Sequence, residues 1–137
     1  MAEEKDALVL GLLPSRPASR TTKQVGDAAE ERASGFLQAK GLQFVARNYR
    51  TPGRGGGEID LIMRDRDGTL VFVEVRKRSR TDHGGAAASV GHVKQRRIIF
   101  AARHYLLQLR TVPSCRFDVV VMDGDAVEWL RAAFDAS

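Results

Sequence analysis

Nothing in this sequence narrows the choice of fold as much as the stretch Gly57 to Arg78, GEIDLIMRDRDGTLVFVEVRKR. Two runs of β-favouring residues flank an Asp67-Gly68 turn signal, a pattern that predicts an antiparallel hairpin. In the first run, about Glu58 to Arg64, alternation places Ile59, Leu61 and Met63 on one face and Asp60, Ile62 and Arg64 on the other. In the second, Leu70, Phe72, Glu74 and Arg76 share a face opposite Val71, Val73, Val75 and Lys77. Both runs are apolar on both faces for part of their length, as in a central strand packed above and below. A carboxylate at Glu74 inside such a run is unfavourable unless a cation compensates it.

Mg²⁺ and Mn²⁺ are held by one or two carboxylates, backbone carbonyls and water. Asp60, Glu74 and the Val75 carbonyl are therefore candidate metal ligands. The pattern alone leaves a plainer reading open, in which the two acids are solvated edge residues or partners of a nearby arginine.

The rest of the chain fits a single folded domain over 21–137 behind a flexible arm at 1–20, whose apolar patch could dock locally. Lys and Arg number 22 against 17 Asp and Glu, and the resulting charge of +5 leans towards polyanionic partners. Cys115 is the single cysteine, so no disulfide forms within the chain, and no Cys/His spacing resembles a zinc site. The apolar run Leu8 to Leu13 follows Glu3, Glu4 and Asp6 and stops at Pro14. It lacks a basic start and is too short to span a bilayer, so no membrane segment and a cytoplasmic location are expected.

Thr21 or Thr22 caps a predicted helix reaching Lys40 and stopped by Gly41, with Val25, Ala28, Ala29, Ala33, Phe36 and Leu37 as its buried stripe. Glu30 borders that stripe and, on pattern alone, is a surface glutamate. A strand over Leu42 to Asn48 leads into the loop Thr51 to Gly57, which lacks the GKS or GKT ending of a phosphate-binding loop. Arg47, Arg50 and Arg54 around it read as backbone-phosphate contacts or as a solvated loop. Ser79 to Ser89 is a connection with an isolated His83.

A second helix is predicted from Gly91 or His92 to Arg110, with Val93, Ile98, Phe100, Ala101, Ala102, Tyr105, Leu106 and Leu109 on a broad apolar face. Lys94, Gln95 and Arg96 stand in its first turns, where the helix dipole disfavours cations; they serve either solubility or an anionic ligand. Cys115 to Met122 is a strand, Asp123-Gly124 a turn, and Val127 to Leu130 its partner, with Arg131 to Ser137 a short helical or irregular tail. Trp129 and Phe134 are expected to cover the core or an edge.

Five blocks carry a resemblance: GDAAEERA at Gly26 to Ala33, ARNYR at Ala46 to Arg50, GGEIDLI at Gly56 to Ile62, VFVEVRKR at Val71 to Arg78 and KQRR at Lys94 to Arg97. In this order they resemble the YraN family of bacterial proteins, over about Thr21 to Leu130. That family is similar to the restriction-endonuclease-like nucleases, especially archaeal Holliday-junction resolvases. The resemblance implies an α/β, restriction-endonuclease-like fold with a mixed central β-sheet flanked by helices. It implies that Asp60 is the metal-binding aspartate, that Glu74 and Arg76 fall on the acid and the lysine of the E-x-K motif, and that Glu30 is the helix glutamate completing the acid cluster. Arg76 is a departure: lysine can lose a proton and activate water, whereas a guanidinium stays protonated and is a poor general base. Lys77 points to the opposite face, and Lys94 is the candidate to enter the site from the following helix.

The expected activity is metal-dependent phosphodiester hydrolysis in DNA, with Mg²⁺ or Mn²⁺ on Asp60 and Glu74. Arg76 would meet developing charge while Arg47, Arg50, Arg54, Arg78, Arg80, Arg96 and Arg97 grip the backbone. Branched DNA follows from fold analogy, and junction resolution would need two active sites, hence a homodimer. A nucleic-acid-binding protein without catalysis, an RNA substrate, and a scaffold that binds protein at a sheet edge are the alternatives.

Overall fold

The computed structural model describes residues 22–78 and 90–136. The arm at 1–20, and Arg80 and His83 in the connection after the hairpin, lie outside the described residues. The elements are α1 (Thr22–Ala39), β1 (Gln43–Arg50), β2 (Glu58–Arg64), β3 (Leu70–Lys77), α2 (His92–Leu106), β4 (Cys115–Asp123) and β5 (Ala126–Phe134). The strands form one five-stranded sheet whose spatial order is the chain order. Neighbours are antiparallel except β3 and β4, which are parallel. A parallel pair needs a crossover, and α2 lies within it.

Turn chemistry closes the predicted hairpin. The Gly68 N–H donates to the Asp65 carbonyl (3.0 Å), the Asp65 N–H to the Thr69 carbonyl (2.9 Å), and the Thr69 N–H to Asp67 Oδ1 (3.0 Å). Gly68 takes the left-handed φ of +91° that this three-residue loop requires.

The predicted two-sided burial of β2 and β3 is present. On one side Ile62, Leu70, Phe72, Phe117, Val119 and Val121 pack with Ile98, Ala101 and Ala102 of α2. On the other, Leu61, Met63, Val71, Val73, Val120 and Met122 pack with Ala33 and Leu37 of α1. Each helix needs the sheet to hide its apolar stripe, and the sheet needs both helices to hide its two faces.

Five expectations change. Arg131 to Phe134 continue the last strand instead of forming a helical or irregular tail: β5 runs to Phe134 because β4 offers it an edge, with a bulge at Ala132 (φ +51°) where the register shifts between Phe117 and Val119, and Asp135 and Ala136 follow without regular structure. α2 stops at Leu106, short of Arg110, and β1 extends past Asn48 to Arg50. Val93 and Phe100 are exposed, since small Ala101 and Ala102 form the buried strip with Ile98. Finally, Ile59 does not share a face with Leu61 and Met63; it packs beside Ile62, so the alternation of β2 breaks at Asp60.

Candidate active site

The break at Asp60 coincides with a fork in the sheet. β2 and β3 pair from Arg64↔Leu70 to Leu61↔Val73, and there the ladder stops. Beyond it, β2 stays with β1 through Ile59↔Tyr49 and Glu58↔Arg50, while β3 stays with β4 through Lys77↔Met122. The two strands diverge, and the Asp60 side chain fills the notch: the Val75 N–H donates to Asp60 Oδ2 (2.8 Å) in place of a ladder bond. Because N–H and C=O of a strand residue point to the same edge, the Val75 carbonyl faces this opening too.

β1 is irregular at the same level. Asn48 lies between the pairs Arg47↔Leu61 and Tyr49↔Ile59, opposite Asp60, and has a left-handed φ of +53°. Tyr49 packs on the α2 side of the sheet, whereas Arg47 and Asn48 both approach acids of α1. Lys23, at 3.0 Å, and the Asn48 amide hold the Asp27 carboxyl below the usual carboxylate range. A cleft of 590 Å³ opens here, lined by Lys23, Asp27, Glu30, Asn48, Arg50 and Glu58.

Asp60 is the shared member of two acid pairs. Glu30 comes from α1 and is buried, not the surface glutamate that its position in the helix indicates, and its Oε1 has no hydrogen-bond partner. Burial first, and then the charge of Asp60, push the Glu30 carboxyl up to about 7. Glu74 projects from β3 on the α2 side, only 7% exposed. Burial first, and then Asp60, push it up to about 8, while Lys94 and Arg76 pull the other way. Lys94 Nζ stands 3.8 Å from Glu74 Oε2, so the helix after the hairpin does bring its lysine to the acids. Glu30, Asp60, Glu74, Arg76 and Lys94 thus meet at one end of the sheet; Lys77, on the opposite face, is exposed.

The predicted phosphate-gripping arginines are scattered. Arg47 is close enough to act on Glu30 and Asp27. Arg50, with 70% of its side chain exposed, lies 3.8 Å from Glu58, and Arg54 is exposed in the loop between β1 and β2. Arg78 is engaged at the far edge with Asp123 (3.3 Å) and Glu128 (3.7 Å). Arg96 is exposed on α2, and Arg97 Nε donates to the Gly56 carbonyl (3.3 Å). The glycines beside it serve packing: a Cβ on Gly57 would land on the Arg97 carbonyl, and the Gly57 N–H donates to buried Thr51 Oγ1 (2.8 Å).

Sequence reasoning gave no role to Asn48 or Asp27, although an asparagine inside a strand pattern is a signal for left-handed backbone. Nor does the pattern mark Asp118, which is fully buried on β4, in register with Val73. Asp118 accepts bonds from Arg116 Nε (3.0 Å), Trp129 Nε1 (2.9 Å) and the Ala132 N–H (2.9 Å). Among the described residues, no His, Cys, Asp and Glu form a group of three or more arranged to hold a metal. No helix of the described residues is long and apolar enough to cross a membrane.

Fold and site together define an α/β protein in which a mixed sheet between helices carries, at a fork between two strands, buried acids faced by a lysine and an arginine. Residues 29–122 match the family described as Uncharacterised protein family UPF0102, and the chain belongs to that family. A UPF0102 protein of Paracidovorax citrulli is 68% identical over 116 residues, covering 85% of this chain and 86% of the relative. Relatives from Albidiferax ferrireducens (66% identical, covering 85% and 91%) and Acidovorax sp. (63% identical, covering 90% and 92%) bear the same family name.

Proposed function

We propose that this protein is a metal-dependent nuclease of restriction-endonuclease-like type that hydrolyses phosphodiester bonds in DNA, with branched or structured DNA as its target. The observation that carries the reading is the placement of Asp60 in the sheet fork, pinned by the Val75 N–H and facing Glu30 on one side and Glu74 on the other. Acids gathered in a break of the sheet's own ladder are the arrangement that a bound cation would compensate.

The donors suit Mg²⁺ or Mn²⁺. Two carboxylates and a carbonyl, all hard oxygens, are a sufficient protein share for an ion that keeps several waters. The unpartnered Oε1 of Glu30 is a further acceptor in want of a donor. Asp60, Glu74 and Val75 would hold the ion, with Glu30 bonding to one of its waters. When bound, the ion would lower the pKa of a coordinated water and neutralise charge on the scissile phosphate. Arg76 and Lys94, whose charges both act on Glu74, are placed to meet an incoming phosphate. The protonated Glu30 and Glu74 carboxyls must lose their protons before serving as donors, so cleavage would rise with pH from about 6 to above 8. Acting on both strands of a junction would take two copies of the chain.

The test is cleavage of linear, flapped and four-way DNA with Mg²⁺ or Mn²⁺, with Glu74→Ala prepared in parallel. Metal-dependent products from the wild type and none from Glu74→Ala are expected. Equal products from both, or none from the wild type on any substrate, would sink the nuclease reading. The second reading, nucleic-acid binding without catalysis, is favoured by Arg76, whose guanidinium cannot take a proton from water as lysine can. In that case Asp60→Ala and Glu74→Ala bind DNA as the wild type does, and no form cleaves it.

A further inference from the structure

Helix α2 has a surface that the acid site does not use. Val93, Phe100 and Leu107 recur every seven residues and are 65%, 52% and 84% exposed, although the apolar pattern of this helix would bury the first two. Arg96 and Arg103 recur at the same interval beside Val93 and Phe100, both exposed. On α2, Arg96, Arg97 and Arg103 lie one turn before or after Phe100, so an open aromatic ring is set among cations. The helix carries no Asp or Glu.

A second copy is a poor occupant of this face, since two such helices laid together would oppose their arginine rows. The complement is a polyanion that also carries flat apolar groups, which describes nucleic acid with its bases unpaired. The same helix sends Lys94 to Glu74 from its sheet-facing side, so the exposed row runs along the outer side of the element that reaches the acids.

We propose that the exposed outer face of α2, the helix that also reaches the acid site, binds a single-stranded or unpaired segment of nucleic acid, with Phe100 stacking on a base and Arg96 and Arg103 contacting the flanking phosphates. This rests on the nucleic-acid part of the functional reading and not on cleavage. It makes unpaired bases, and not duplex shape alone, the feature by which a branched substrate is recognised.

The experiment uses the full chain in EDTA, so that cleavage cannot intervene, and fluorescence anisotropy of a labelled oligothymidine of about 20 nucleotides and of a blunt duplex of about equal length. Phe100→Ala is expected to weaken oligothymidine binding about tenfold and duplex binding by less than about twofold, with its melting temperature unchanged. Phe100→Trp restores the affinity, and its added indole emission is quenched by the oligonucleotide. Arg103→Ala lowers the salt dependence of oligothymidine binding by about one unit of slope. The proposal is overturned if Phe100→Ala binds oligothymidine like the wild type, if both ligands weaken equally, if polyglutamate competes as well as oligothymidine, or if the wild type binds no oligothymidine. Phe100-dependent binding without cleavage in Mn²⁺ would remove the nuclease reading and leave this surface standing. Cleavage with an indifferent Phe100 would do the reverse.

Discussion

Glu74 and Glu30 are held where a charge is unwelcome, and the direction of the effect on stability follows. Burial and Asp60 raise both carboxyls above their ordinary range, to about 8 and about 7, so the folded chain binds protons that the unfolded chain has released. Their contribution is fully present below the ordinary carboxylate range and is lost as pH rises through those values. In EDTA the wild type is therefore expected to melt at progressively lower temperature from about pH 5 to about pH 8. Glu74→Gln keeps the shape without the charge; its curve should be flatter, and at pH 8 it should melt above the wild type. Mn²⁺ should raise the wild-type melting temperature more at pH 8 than at pH 6, and do little for the variant. Thermal melts over this range decide the matter: a wild-type melting temperature that climbs towards pH 8 in EDTA would mean that these acids are not held against their charge.

At the scale of elements, the left-handed turn of β1 at Asn48 and the broken alternation of β2 at Asp60 face one another and describe one distortion shared by two strands. Asn48→Gly deletes the amide but keeps access to φ +53°, whereas Asn48→Val also penalises that backbone by about 1–3 kcal/mol. Hydrogen exchange separates the cases: the Val75 amide, bonded to Asp60, should stay protected in Asn48→Gly and lose protection in Asn48→Val, with the Phe72 amide protected in both. Equal protection of Val75 in both variants would show that Asn48 does not set the notch. The hairpin, the two-sided burial of β2 and β3, and the meeting of Asp60 with Glu74 were all legible in the sequence, because alternation and a turn signal are local. Glu30 was legible only through the family resemblance, since burial of a helix glutamate depends on a partner 30 positions away. The end of the chain was misread because AVEWLRAAF has no strand alternation of its own; pairing with β4 and the bulge over Asp118 impose it. Phe100 was misassigned because helical period marks a stripe but not its borders, which the small Ala101 and Ala102 shift around the helix.

Across the whole molecule, charge is handled in opposite ways at two neighbouring places in the sheet. Between β2 and β3 the acids repel each other. Between β4 and β5, Asp118 is satisfied by three donors, and Arg116 goes on to Asp65 at 2.8 Å, tying β4 and β5 to the hairpin turn. Asp118→Ala would leave Arg116 with Asp65 alone and strip the indole N–H of Trp129 and the Ala132 N–H of their acceptor, and is expected to reduce stability by about 1–3 kcal/mol, read from urea unfolding. A loss below about 1 kcal/mol would mean that water replaces the carboxylate freely. The fork in the sheet has a consequence of its own. An interrupted ladder is ordinarily mended by sliding one strand along its neighbour, but a slip of one residue in β2 would carry Leu61 and Met63 over to the α2 side and Ile62 over to the α1 side. The greasy pattern on both faces therefore bolts the opening in place, independently of the acids it holds. A descendant that lost those acids would keep the same hollow, so a vacant crevice of this outline in a cousin testifies to ancestry, and only the side chains within it testify to work.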